Sequence, residues 1–338
     1  MKEDAQHHHN HGKDSGKEGH EHLHGVVDPS LFSTERGIHA VQLSFWVLFA
    51  TAVLQAIVVL LSGSVALLAD TIHNFADAAT AIPLWIAFRF SRKVPTKRFT
   101  YGYGRVEDLA GLTIVIVIFV SAVFIFLESL NRYFHPIVPK HLGIVAGCAV
   151  VGFIGNELVA IYRIRTGKAI GSAALIADGQ HARADGLSSI AVLVSVLGVW
   201  LGYPLADPIV GFAVSLFILR IVWQSAKAVF GRLLDGVDPE VVSEIQEAAG
   251  HVDGIQDVTE VRVRWIGHRL HAELNVAADS KLSLEDAHEL AISVQHELLH
   301  HLTYLSNATI HVDPATASGE EHHRIESHVH DGLPDHSH

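Results

Sequence analysis

Residues 171–185 read GSAALIADGQHARAD, and residues 63–77 read GSVALLADTIHNFAD. The two segments agree at nine of fifteen positions with a constant offset of 108, and each copy keeps an Asp, a His and a second Asp. The spacing i, i+3, i+7 places Asp70, His73 and Asp77 on one helical face, and Asp178, His181 and Asp185 on another. His and second Asp are one turn apart in each copy. Counted from the start of their apolar segments, both pairs lie about 15–20 Å deep at 1.5 Å rise per residue. Ionisable groups at that depth of a bilayer cost roughly 2.5–3.5 kcal/mol each on insertion scales, and they mark ion paths.

Working outward, residues 38–230 alternate long uncharged stretches with short charged ones, in a chain that is 49% hydrophobic and 18% charged. A spanning helix needs about 20 predominantly apolar residues. Six segments qualify: Ile38–Leu61, Ser64–Phe88, Val106–Leu130, His141–Tyr162, Ser172–Leu201 and Leu205–Phe230. Runs such as Leu109–Leu127 are too long and too apolar for buried helices of a soluble protein. Basic residues cluster after the second span (Arg89, Arg92, Lys93, Lys97, Arg98, Arg105), the fourth (Arg163, Arg165, Lys168) and the sixth (Lys227, Arg232). The positive-inside rule therefore puts both termini in the cytoplasm of a multi-pass protein, with a bacterial inner membrane as the expected location. The two copies of the motif open the second and fifth spans, which run in opposite directions. That predicts two three-helix halves of inverted topology, with the substrate site near the midplane between them.

Two imidazoles and two carboxylates, His73, Asp77, His181 and Asp185, supply four donors in tetrahedral array. A mixed nitrogen and oxygen set suits zinc, whereas magnesium and calcium prefer oxygen alone. Asp70 and Asp178, one turn before each His, are placed to orient the imidazoles. The plainer alternative, buried polar pairs that only hold helices together, explains one such set more easily than a duplicated one. A zinc hydrolase would want three protein ligands and an open water position, and no further catalytic group accompanies these pairs. Because a metal ligand must be unprotonated, metal and protons compete for the same lone pairs, which makes proton exchange a natural coupling. A membrane-anchored sensor or storage protein with structural metal is the rival reading. The formal charge of −12 offers no attraction for nucleic acid, the single Cys148 excludes disulfides and thiolate clusters, and the polar N-terminus has no signal-peptide core.

These residues resemble the cation diffusion facilitator family of proton-coupled zinc transporters. That family carries an H/D-x-x-x-D pair on the second and on the fifth span, here His73-x-x-x-Asp77 and His181-x-x-x-Asp185. The stretch Phe99–Glu107, FTYGYGRVE, is similar to the family's Gly-x-Gly-Arg/Lys-x-Glu segment. The resemblance implies export of zinc from the cytoplasm in exchange for protons, and a homodimer. It also implies a boundary contact between Arg105 and Asp235 that locks the dimer. The loop between spans two and three has no His, unlike members with an extra site there. Arg183, inside the His181–Asp185 turn, is expected to pair with Glu128 or Glu107 or to face a wet cavity. Glu128 and Asn156, inside apolar spans, are expected to line the cavity or bridge helices.

After Phe230 the composition turns soluble. Residues 238–250 predict a helix, Val258–Trp265 and Leu270–Ala277 a hairpin around Gly267–His268, Leu284–Leu302 a second helix and Asn307–Val312 a third strand. This α-β-β-α-β order matches the family's ferredoxin-like cytoplasmic domain, which the resemblance assigns to dimerisation and structural zinc. His268, His271, His288, His311 and Asp313 are candidate ligands, with His271, His288, His311 and Asp313 as the expected set. Thirteen of the 26 His fall in the two tails, which read as weak metal buffers. The expected fold is thus an all-α six-span membrane domain with inverted three-helix repeats, followed by a small α+β ferredoxin-like domain. Its expected divisions are a His-rich tail over 1–37, a transport domain over 38–232, a cytoplasmic domain over 237–314 and a second tail over 315–338.

Overall fold

The structure, a computed structural model, describes residues 29–62, 75, 78, 80–135, 142–203 and 205–319. Eight helices and three strands are described among them: α1 (Pro29–Ser62), α2 (Ala81–Ser91), α3 (Arg105–Phe134), α4 (Leu142–Ile170), α5 (Ala173–Trp200), α6 (Ala206–Leu233), α7 (Pro239–Gly250), β1 (Ile255–Ile266), β2 (Arg269–Ala278), α8 (Leu284–His301) and β3 (Leu305–Pro314).

Segments within α1, α3, α4 and α6 are long and apolar enough to cross a membrane. The described α2 is an apolar helix of 11 residues, and most of the repeat copy ahead of it, residues 63–74, 76 and 77, lies outside the described residues. Helix α5 has 28 residues but carries Asp178, Arg183 and Asp185. Its length fits a span while its charges set it apart. The first helix begins at Pro29, nine residues ahead of the expected Ile38.

The helices are apolar on both faces. In α3, Ile114, Ile118 and Ala122 are buried, while Ile116, Phe119, Val120, Phe124 and Leu127 on the other side are open. Side chains of that size left outside water-soluble packing are what lipid accommodates. Close helix contact relies on small residues. A Cβ on Gly167 of α4 would lie 2.8 Å from Ile176 Cγ1, and one on Gly179 of α5 would lie 2.7 Å from Ile164 Cγ1. Only glycine lets the two backbones approach this far. Gly171, at φ +71°, turns α4 directly into α5, so the two form a tight antiparallel hairpin.

The last third is a three-stranded sheet of order β1-β2-β3, with β1 antiparallel to β2 and β2 parallel to β3. The parallel pair requires a crossover, which α8 provides. Local chemistry places both helices. Asp238 caps α7 with Pro239 behind it, and Ser283 and Asp286 form a capping box on α8, each cap worth about 1 kcal/mol. Leu270, Ala272, Leu274 and Val276 alternate toward the core shared with Ile245, Val294 and Leu298. The element order is the expected one, with strands two to four residues longer than the alternation suggested.

Candidate functional site

Helix α5 presents Asp178, His181 and Asp185, all buried. His181 Nδ1 and Asp185 Oδ2 lie 3.6 Å apart, as one helical turn dictates. Around them α1, α4 and α5 contribute Leu48, Val159, Ala160 and Ala182 to a small apolar cluster, joined by Ala78. Asp70, His73 and Asp77 lie outside the described residues.

Asp178 meets Arg163 of α4, with Asp178 Oδ2 2.9 Å from Arg163 Nη1 and side chains 0% and 1% exposed. The positive-inside count treated Arg163 as a loop residue. Instead α4 runs on to Ile170 and carries Arg163 into the bundle. A carboxylate buried this completely requires a counter-charge, and the hairpin supplies it. One helical face further round, Arg183 pairs with Glu157 of α4 at 2.9 Å, both about one-third exposed. The expected partners were Glu128 and Glu107, and both are engaged elsewhere. Glu128 accepts from Arg132, which also reaches Asp207 of α6, each at 2.9 Å. Glu107 faces the cytoplasmic domain. Arg183 found the residue that the antiparallel α4–α5 hairpin brings level with it, a pairing set by the turn at Gly171.

A second polar centre joins the helices to the sheet. His268, at the tip of the β1–β2 hairpin, is 3% exposed. Its Nδ1 donates to Glu107 Oε2 at 2.6 Å, and its Nε2 lies 3.0 Å from Thr34 Oγ1 of α1. Ser172 Oγ donates to the other Glu107 oxygen at 2.5 Å, and the Gly267 amide donates to Asp108 Oδ2 at 3.3 Å. Arg232 of α6 donates to the carbonyls of Gly171 and Gly267 and lies 4.1 Å above the Trp265 ring. The candidate reading of His268 as a metal ligand gives way here, since both ring nitrogens already face oxygen partners inside the protein. Arg105 donates to the Arg232 carbonyl at 2.9 Å and pairs with Asp235 of the same chain, so that expected contact is present within one protomer.

The cytoplasmic candidates are dispersed. His311 Nε2 and Asp313 Oδ1 lie 2.9 Å apart on β3. His271 pairs in register with Asn307 on β3, whereas His311 pairs with Asn275 on β2. Four register positions separate the two His, roughly 13 Å along the strands. His271 Nε2 lies 3.3 Å from Ser306 Oγ, and its ring sits 6.4 Å from that of Tyr101. Burial and the nearby Arg264 and Arg269 push its imidazole below the ordinary value of 6.5. His288 is exposed on α8. Among the described residues no three His, Cys, Asp or Glu side chains converge as a metal cage.

Comparison with known proteins places this arrangement. A family model described as the cation efflux transmembrane domain matches residues 41–234, and one described as the cation efflux protein cytoplasmic domain matches residues 237–315. A probable cation efflux system protein of Mycobacterium tuberculosis is 54% identical over 86% of this chain and 87% of its own. An uncharacterized transporter of Methanocaldococcus jannaschii is 30% identical over 74% of this chain and 88% of its own. The zinc transporter ZitB of Escherichia coli is 29% identical over 82% and 86%. With both its helical and its sheet portions matched, the chain belongs to the cation diffusion facilitator family, the membrane transporters of cation efflux, and is not an enzyme.

Proposed function

We propose that this protein exports zinc from the cytoplasm in exchange for protons, through one intramembrane site built by His73, Asp77, His181 and Asp185. The observation that carries this reading is the pair His181 and Asp185, buried one turn apart on α5 at 3.6 Å. Ala78, the residue after Asp77, packs in the same cluster as Ala182, the residue after His181. Their place in one cluster supports an approach of the two motif copies. Two imidazoles and two carboxylates favour zinc, and the zinc transporter among the relatives agrees with that choice. Proton exchange follows from competition for the donor lone pairs. In this reading six spans form inverted halves, both termini face the cytoplasm of a bacterial inner membrane, and the α-β-β-α-β domain pairs two protomers. His311 and Asp313 form a cytoplasmic zinc pair, without His271.

Zinc flux into proteoliposomes tests the proposal. The wild type should take up zinc, faster when protons are concentrated on the receiving side. Asp185→Ala and His181→Ala should each abolish uptake, while Glu285→Ala on the exposed surface should not. Zinc uptake that persists in Asp185→Ala, or that ignores the imposed pH gradient, overturns it.

A further inference from the structure

Helices α4 and α5 are in antiparallel contact, and two described contacts set their level. Arg163 and Asp178 meet at 2.9 Å. Gly152 and Ser189 also face each other, since a Cβ on Gly152 would lie 3.1 Å from Ser189 Oγ. Asn156 stands seven residues before Arg163, and Asp185 stands seven after Asp178. Asn156 is likewise four residues from Gly152, as Asp185 is from Ser189. Asn156 and Asp185 therefore occupy the same level of the hairpin, on the faces turned toward each other. Direct packing agrees: a Cβ on Gly186, next to Asp185, would lie 3.5 Å from Asn156 Cβ.

Asn156 is 4% exposed, and its Oδ1 accepts no hydrogen bond among the described residues. An unmatched buried amide oxygen costs about 1–3 kcal/mol, and a native structure that keeps one has a use for it. Three nearby donors are committed elsewhere. The Thr51 hydroxyl donates to the Val47 carbonyl, that of Ser189 to the Asp185 carbonyl, and Arg183 to Glu157. The oxygen is thus an open acceptor, among the described residues, at the level of Asp185.

We propose that Asn156 gives its side-chain oxygen to the transported cation as a fifth donor beside Asp185, and so determines which divalent metals the site accepts. The inference rests on the intramembrane site proposed above. Four donors satisfy tetrahedral zinc. Cobalt(II) and manganese(II) accommodate five or six donors, and a neutral amide oxygen adds one without altering the charge of the site. Asn156 thus broadens the range of cargo while zinc is served by the other four ligands.

The test compares zinc, cobalt and manganese transport by full-length protein in proteoliposomes for wild type, Asn156→Val, Asn156→Asp and Asp185→Ala. Asn156→Val should lower cobalt and manganese transport about tenfold or more relative to zinc, the scale on which single donors around a site change metal affinity. Asn156→Asp, which keeps an oxygen in place, should retain cobalt transport. The visible spectrum of bound cobalt(II), taken as wild type minus Asp185→Ala to isolate this site, should be weak. It should become several times more intense in Asn156→Val, as a tetrahedral ion replaces a five-coordinate one. An unchanged cobalt-to-zinc ratio in Asn156→Val, or equal loss of cobalt transport in Asn156→Asp, overturns the role of Asn156. Transport by Asp185→Ala instead overturns the site reading itself.

Discussion

The Nδ1 of His268 lies 2.6 Å from Oε2 of Glu107, and both side chains are all but sealed from solvent. One belongs to the tip of the cytoplasmic hairpin and the other to the first turn of α3. Through them, and through Arg232 over Trp265, the sheet is anchored to helices α1, α3 and α6. A hydrogen bond from imidazole to a buried carboxylate is strong because burial keeps water from competing for either group.

Loss of this contact should loosen the joint between the two parts. His268→Ala leaves Glu107 buried with half its partners, a change expected to cost about 3–5 kcal/mol. Glu107→Gln keeps an acceptor for Nδ1 and should cost less. Hydrogen exchange across residues 263–270 should accelerate strongly in the first variant and weakly in the second. Unchanged protection in His268→Ala would show that Arg232 and Trp265 alone hold the domain.

Gly267 sits at φ +64°, where a Cβ would fall 2.7 Å from the Gly104 carbonyl oxygen and 2.9 Å from Glu107 Oε2. Gly267→Ala should therefore separate the hairpin from α3 through both strain and clash. The same readout, exchange across the hairpin, should rise at least as far as in His268→Ala.

Arg163 and Asp178 predict a strong non-additivity. Either single replacement, Arg163→Leu or Asp178→Leu, strands a fully buried charge and should lower thermal stability by about 3–5 kcal/mol. The double variant removes both charges and should recover most of that loss. Additive losses in detergent melting curves would mean that the two side chains do not act as a pair. By contrast, Arg183→Ala breaks a contact about one-third exposed at each end, worth roughly 1 kcal/mol or less.

His271 makes stability depend on pH in a defined direction. Its folded-state value is depressed, so the unfolded chain binds the extra proton between that value and the ordinary 6.5. Its effect is therefore absent well above 6.5, and stability declines as pH falls through 6.5 toward the depressed value. Melting curves taken from pH 8 down to pH 5 should fall less steeply for His271→Gln than for wild type. Identical slopes would show that burial of His271 has no energetic consequence.

Much of this was legible in the residues themselves. A 3.6-residue period and a 20-residue apolar length are local properties, and they sufficed for the spans in α1, α3, α4 and α6, for the buried polar face of α5 and for the family. The alternation and caps of residues 238–314 likewise set the order α-β-β-α-β. Pairing partners belong to the tertiary structure, because they depend on which residues distant elements bring to the same level. For Arg183 the sequence left Glu128, Glu107 or a wet cavity open, and the turn at Gly171 aligns it with Glu157. Arg163 was counted as a loop charge, yet it is the counter-ion of Asp178. His268 looked like one of several surface ligands until the hairpin placed it between Glu107 and Thr34. His271 and His311 share a sheet face, but the parallel register of β2 and β3 keeps them apart. The motif copy on α5 thus announced a buried polar face from sequence alone. What surrounds it was decided by antiparallel packing, since burial makes each charge seek the one partner within reach.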